Sequence, residues 1–350
     1  MPPRRRKTTW KEINKKRTLT HRLKLVALAL SGILVSALFF GGFSFVQFLK
    51  SPLTLASGSF PDGGTWDNLS PLNLALVVTD DTYSQIESLS LLTADKYQKS
   101  ISVVNLPVAQ EVDYPLGLGP APLAQALVLG DSLTPKIGIG MVEKVLKKSL
   151  AVSVSKYVLI KSSDLAEFKG NPAEFKEQLR IKNLPNLLGT MEFARDHVAT
   201  NLSLGEIADL VFFVRGVDPV NIFTKDYTSS RLLLDLDKWW PEFFARGIFR
   251  QQRTPVLVLN GTNREGLGSW GGRLVSNMGG DTLTSINSYG SYAKTFIVTD
   301  QPDLPIVKAL GRLVGATAVV RPGEGASGQE YSVGRAKVTL VLGLDSATTL

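Results

Sequence analysis

The sequence contains no cysteine and only two histidines, His21 and His197. Without cysteine there is no disulfide, no thiolate nucleophile, no iron–sulfur cluster and no cysteine zinc site. Neither histidine has a partner at metal-ligand spacing, so a histidine-based zinc site is not expected either. Charge is scarce outside one short stretch. The formal charge is +8, but the first 24 residues carry ten basic residues against the single acid Glu12, and the remaining chain sits near −1. The basic character therefore belongs to the tail, and no nucleic-acid partner is expected. A phosphate-cradling loop is missing too: Gly117-Leu118-Gly119 is short and no Lys-Ser or Lys-Thr follows it.

What is present is one long uncharged run, Leu25 to Leu49, LVALALSGILVSALFFGGFSFVQFL. At ~1.5 Å per residue it would form a helix of about 37 Å, enough to cross a hydrocarbon core of roughly 30 Å with some tilt. The basic residues precede it, and after it the chain turns polar at Lys50-Ser51-Pro52. Basic flanks stay on the cytoplasmic side, so the N-terminus is expected inside and everything after Ser51 outside. The competing reading is a cleaved signal, with small residues at Ala56-Ser57-Gly58. The apolar run, however, is far longer than the ~7–15 residues usual in such signals. Residues 1–24 are thus read as a cytoplasmic tail, drawn to anionic lipid. Residues 25–49 are read as a transmembrane helix, and 50–71, rich in Ser, Gly, Pro and Asp, as a linker. Trp66 within that linker is read either as dipping toward the membrane interface or as packing.

The remaining chain is expected to form two α/β domains, residues 72–250 and 254–345. Strands are expected at Leu72–Thr79, Ile86–Thr93 and Ser100–Leu106, the last two as a hairpin. Asp113 to Pro122 reads as a loop. Helices are expected over 121–129 and 139–150, the second with Met141, Val142, Val145, Leu146 and Leu150 at helical spacing. A strand follows at 152–160, and Asp164 is a candidate N-cap. The stretch 169–200 reads as helical in pieces. Ser203 with Glu206 makes a capping box opening a helix over 204–214. Lys238 to Arg250, KWWPEFFARGIFR, concentrates aromatics that suit a core or a domain-joining helix, or a membrane interface. Beyond it the pattern is βαββαβ-like: strands at 255–259, 281–289, 295–299, 317–320 and 338–342, helices at 266–278 and 302–313.

Two groups of residues carry a family resemblance. In the second domain Val256-Leu257-Val258-Leu259-Asn260-Gly261-Thr262, then Gly266-Leu267, and finally Val341-Leu342-Gly343-Leu344-Asp345 resemble the C-terminal domain of LytR-type proteins. The first domain resembles the LytR-CpsA-Psr family through Asn73–Val77 followed by Asp80, the segment Ser100 to Pro107, and Thr200-Asn201-Leu202-Ser203. The resemblance implies an α-β-α sandwich for the first domain and a bacterial cell-envelope setting. Active members transfer a glycopolymer from a polyprenyl-pyrophosphate carrier onto peptidoglycan with magnesium.

The departures from the family pattern set the functional expectation. Val108 and Ala109 stand where the family has Arg and Asp. Only Arg180 and Arg195 lie where its arginine helix would be, and the second-strand acid is at best Glu87. Phosphoryl transfer is catalysed by positioning and by cations on the phosphate oxygens, and loss of one preset donor typically costs ~10²–10³ in rate. The expectation is a membrane-anchored, non-catalytic binding or scaffold protein with no catalytic residue and no cofactor. Asp80 and Asp81 remain as residues of a vestigial substrate pocket, able either to hold magnesium or simply to end a strand. Its partners would be the membrane, through residues 25–49, and a wall polymer, a lipid-linked precursor or another envelope protein. The alternative is a divergent magnesium-dependent phosphotransferase. A transcriptional regulator, a third class, would require the folded mass to lie in the cytoplasm.

Overall fold

The computed structural model describes residues 52–54, 66, 71–133, 137–164, 197–227, 240, 247–316, 318–320 and 336–349. Residues 25–49, and Arg180 and Arg195, lie outside the described residues. Among the described residues no helix is long and apolar enough to cross a membrane. The chain divides into two compact units, residues 1–51 with 203–205, and residues 52–202 with 206–350. Apart from Ser203, every strand and all three sheets among the described residues belong to the second unit.

Nine strands come first: β1 (Pro52–Thr54), β2 (Leu72–Thr79), β3 (Ile86–Asp95), β4 (Ser100–Leu106), β5 (Glu111–Tyr114), β6 (Gly119–Pro122), β7 (Lys156–Lys161), β8 (Val198–Ser203) and β9 (Ile222–Asp226). Seven form one sheet in the order β1-β8-β7-β2-β3-β4-β9, and β5 and β6 form a separate hairpin. The helices among them are α1 (Ala126–Ser132), α2 (Gly140–Leu150) and α3 (Leu204–Gly216). Strand β2 sits mid-sheet, antiparallel to β3 and parallel to β7. Its sequence is apolar at nearly every position because both of its faces are covered. Ala75 and Val77 join one cluster with Met141, Val142, Val145 and Leu146 of α2. Leu72 and Leu74 join another with Trp66 and Leu202, against which Ile207, Leu210 and Phe213 of α3 pack.

The second sheet follows α4 (Gly247–Gln252). Its elements are β10 (Pro255–Asn260), α5 (Leu267–Asn277), β11 (Asp281–Asn287), β12 (Phe296–Thr299), α6 (Pro305–Val314), β13 (Ala318–Val320), β14 (Val338–Leu342) and a terminal α7 (Leu344–Thr349). The strand order is β11-β10-β14-β12-β13, parallel except for the antiparallel β12–β14 pair. Helices α5 and α6 contribute Trp270, Leu274, Val275, Ile306, Val307 and Leu310 to a cluster with Val256, Val258, Val338 and Leu340.

Some expectations are corrected, and some open alternatives are decided. The segment 50–71 is not purely a linker, since Pro52–Thr54 is an edge strand. Trp66 packs: it is 8 % exposed, edge-on to Phe213 at 5.5 Å and under the Lys96 ammonium at 4.0 Å. The stretch read as loop at 113–122 contains the β5–β6 hairpin. Strand pairing begins at Lys156 rather than at 152, although Val152 and Val154 are buried. Val198–Ser203 is a strand antiparallel to β7, not helix. Of the aromatic run, Trp240 lies in the first cluster and Phe249 in the second, in keeping with the core reading, while residues 238–239 and 241–246 lie outside the described residues.

The two sheets are joined through α2. The last carbonyls of a helix have no partner inside it. Here three side chains of α5 supply partners. Trp270 Nε1 donates to the Lys147 carbonyl at 2.9 Å, Arg273 Nη2 to that of Ser149 at 3.3 Å, and Asn277 Nδ2 to that of Leu150 at 3.0 Å. The spacing 270, 273, 277 places all three on one face of α5. In the other direction Lys147 Nζ donates to the carbonyl of Leu313 at 2.6 Å.

Candidate functional site

Asp80 and Asp81 begin the β2–β3 connection, where the strand pattern of β2 gives way to turn residues. The Asp80 carboxylate organises that turn. Its Oδ1 accepts from the Ser84 amide at 2.7 Å and the Gln85 amide at 3.1 Å. Its Oδ2 accepts from the Ser84 hydroxyl at 2.6 Å and the Thr82 hydroxyl at 2.7 Å. The hydroxyls of Ser84 and Thr82, and then the Gln85 and Ser84 amides, favour the charged form and hold the Asp80 carboxyl well below the usual carboxylate range. Asp81 is exposed. Nearby, Lys161 Nζ lies 4.9 Å from the Tyr83 ring centroid.

This donor set does not fit a magnesium ion. Magnesium needs oxygen lone pairs in octahedral array at about 2.0–2.1 Å. Both oxygens of Asp80 instead receive N–H and O–H protons from their own turn. Among the described residues no group of three or more His, Asp or Glu side chains converges as a metal site would require.

Pro107 to Gln110 forms a turn closed by the Gln110 amide on the Pro107 carbonyl at 3.1 Å. Val108 packs against the first core, and its carbonyl accepts from the Ala124 amide at 2.8 Å. Ala109 is exposed. The segment is thus a packed turn held by an apolar side chain. Glu87 is exposed on β3. Glu206, the acid of the capping box expected with Ser203, lies on α3, and its carboxylate pairs with Lys156 at 3.0 Å and accepts from the Trp66 amide at 3.3 Å. His197 meets Asp164, Nδ1 to Oδ1 at 3.1 Å.

A cavity among the described residues lies elsewhere. A groove of about 550 Å³ is lined by Leu116, Gly117 and Lys148 on one side and by Arg264, Glu265, Gly266, Leu267 and Trp270 on the other. This is within the size range of ligand clefts. Lys148 Nζ is fixed by the Tyr114 carbonyl at 2.9 Å and by Asp113 Oδ2 at 2.7 Å. Arg264 follows the Asn260-Gly261-Thr262 turn, whose side chains fix its backbone. Asn260 Oδ1 accepts from the Thr262 amide and hydroxyl, Thr262 Oγ1 accepts from the Arg264 amide at 3.1 Å, and Asn260 Nδ2 donates to the Arg264 carbonyl at 2.9 Å. Lys148 gave no functional signal in the sequence, since it stands on the polar side of an amphipathic helix. Arg264 could have been found, because it lies two residues past the motif that carried the resemblance.

No known family model matches the sequence, and no curated protein matches it. Solved structures do show similarity. A LytR-CPS2A-psr family protein, YwtF (TagT), with bound octaprenyl pyrophosphate lipid is 14% identical, covering 50% of this chain and 85% of that chain at a TM-score of 0.33. TagV of B. subtilis is 14% identical, covering 47% of this chain and 87% of that chain at a TM-score of 0.38. TagT bound to LI-WTA is 14% identical, covering 50% of this chain and 85% of that chain at a TM-score of 0.35.

Proposed function

We propose that this chain is a membrane-anchored protein of the extracytoplasmic cell envelope that binds a lipid-linked or wall-bound polymer and does not transfer it. In this reading residues 25–49 cross the membrane and the folded part is built like a LytR-CpsA-Psr transferase without its catalytic set. The observation that carries it is the state of Asp80. A carboxylate that accepts the two amides and the hydroxyls of its own turn offers little to a cation. The positions where the family resemblance implies Arg and Asp are held by Val108, packed on the core, and exposed Ala109. Neither supplies positive charge for a developing phosphate, which is the main resource of phosphoryl-transfer catalysis. Octaprenyl pyrophosphate lipid, the ligand of one similar structure, is the lipid class this reading carries to the present chain.

The test is an equilibrium titration of octaprenyl pyrophosphate into the full chain, once with magnesium and once with a chelator. Equal affinity in both is expected. A strict magnesium requirement would overturn the reading, because it would place a metal-bridged pyrophosphate at a site argued to hold none. For the topology, a periplasm-active or surface-active reporter fused after Leu350 is expected to give signal. Signal only from a cytoplasm-active reporter would contradict the anchor.

A further inference from the structure

We infer that the groove between α2 and the start of α5 binds an oxyanion of an extended polymer, with Lys148 and Arg264 as the two cations that recognise it. This deepens the function proposed above and rests on it for the choice of a phosphodiester over a carboxylate. Three observations carry it. The walls come from distant parts of the chain, Leu116, Gly117 and Lys148 on one side and Arg264 to Leu267 with Trp270 on the other, yet they are held to one another. The Trp270 indole, itself a wall residue, donates to the carbonyl of Lys147, one position before Lys148. Arg273 and Asn277 add bonds to Ser149 and Leu150. The groove is therefore preformed, which lowers the ordering cost of binding.

Lys148 is positioned at its ammonium, and Arg264 at its backbone. The Lys148 side chain is 23% exposed and its partner Asp113 64% exposed. The lysine is thus anchored by the buried Tyr114 carbonyl, while the carboxylate beside it is a solvent-facing counter-ion that an incoming phosphate can replace. Arg264 is carried on the turn that Asn260 and Thr262 lock at both its amide and its carbonyl. An arginine fork and a lysine point charge together suit phosphate oxygens. Glu265 in the same lining disfavours a second anion close by, which suits a polymer whose charges are spaced by neutral units. In this account the Asn-Gly-Thr motif serves to present Arg264.

The experiment uses the full chain and three probes: a glycerol-phosphate oligomer, an oligogalacturonate and an uncharged maltodextrin of similar length. Calorimetric titration is expected to show binding of the glycerol-phosphate oligomer alone, weakened at least ~10-fold by Arg264→Ala and by Lys148→Gln, and weakened further by added salt. Thr262→Val is expected to weaken it toward the Arg264→Ala level, and Thr262→Ser to restore it, because the hydroxyl holds the Arg264 amide. Unchanged affinity in both cation variants overturns the groove assignment. So does absence of binding to the wild-type chain, or binding of oligogalacturonate in place of the phosphate oligomer. None of these touches the magnesium-independent lipid titration, so failure here and failure of the broader reading are told apart.

Discussion

The amide of Gly261 donates to the carbonyl of Leu342 at 2.9 Å, and that bond joins two sequence motifs about 80 residues apart. Asn260-Gly261-Thr262 begins at the last residue of β10 and Leu342-Gly343-Leu344-Asp345 at the last residue of β14, and the two strands are parallel neighbours. Asp345 completes the corner: its Oδ1 accepts from the Thr295 amide and hydroxyl and from the Ser346 amide. Partial burial pushes its carboxyl up, but the bonds from Thr295 and Ser346, with the charge of Lys294, outweigh this and leave it lowered.

The tightness of that corner gives a paired prediction. A Cβ on Gly343 would stand 2.4 Å from the Lys294 carbonyl carbon and 2.6 Å from its oxygen, and both are backbone atoms that cannot swing aside. Gly343→Ala is expected to destabilise the chain by about 1–3 kcal/mol or more. Gly311→Ala, in the interior of α6 with its nearest neighbour 4.0 Å away, is expected to be neutral or to stabilise by about 0.5–1 kcal/mol. Chemical denaturation of both variants checks this, and equal effects would contradict it.

The parts legible in the sequence are those where burial sets a period. Strands β2, β3, β4, β10 and β14 and helices α2, α5 and α6 read clearly because apolar residues recur at two-residue or helical spacing, or run unbroken between turns. The missed strands lack such a period. β9 is exposed at every position, so nothing in its side chains alternates. β8 alternates only at Thr200 and Leu202, and its polar Asn201 is spent on backbone, accepting from the Tyr157 amide and donating to the Ser155 carbonyl. The turn role of Asp80 was visible as a strand-ending acid. Its bonds were not, because the amides of Ser84 and Gln85 and the hydroxyls of Thr82 and Ser84 reach it only once the turn has folded. The groove was invisible for a different reason: its walls meet only after α5 docks on α2.

The Asp80 turn gives a pH prediction. Its pKa in the folded chain is depressed from the ordinary 3.8, so the stability it contributes is fully present above that value and is lost as pH falls below it toward the depressed one. Asp80→Asn keeps the acceptor for the two amides but has no charge to titrate. Melting temperatures of the two chains are expected to converge as pH drops below about 4, with the wild type falling more steeply. Parallel curves would show that Asp80 is not charged and bonded as described.

A third prediction concerns the buried ion pair of Lys156 and Glu206, whose side chains are 11% and 8% exposed. Breaking such a pair from one side leaves an uncompensated charge, costing about 3–5 kcal/mol. Lys156→Met is expected to fall in that range. Lys156→Met with Glu206→Leu should recover most of the loss, although the Trp66 amide then loses its acceptor, which costs about 1–3 kcal/mol. A double-mutant cycle in denaturant measures the coupling, and additive effects would contradict it.

The central claim is that the folded part binds a lipid-linked polymer and leaves the pyrophosphate intact. Transfer would require a peptidoglycan hydroxyl to attack phosphorus, breaking the phosphoanhydride and releasing polyprenyl phosphate. The most direct measurement is therefore the release of polyprenyl phosphate by the full chain given polyprenyl-pyrophosphate-linked glycopolymer, peptidoglycan and magnesium. Our account predicts retention of the intact lipid-linked substrate with no release above the protein-free rate, and steady multiple-turnover release would contradict it.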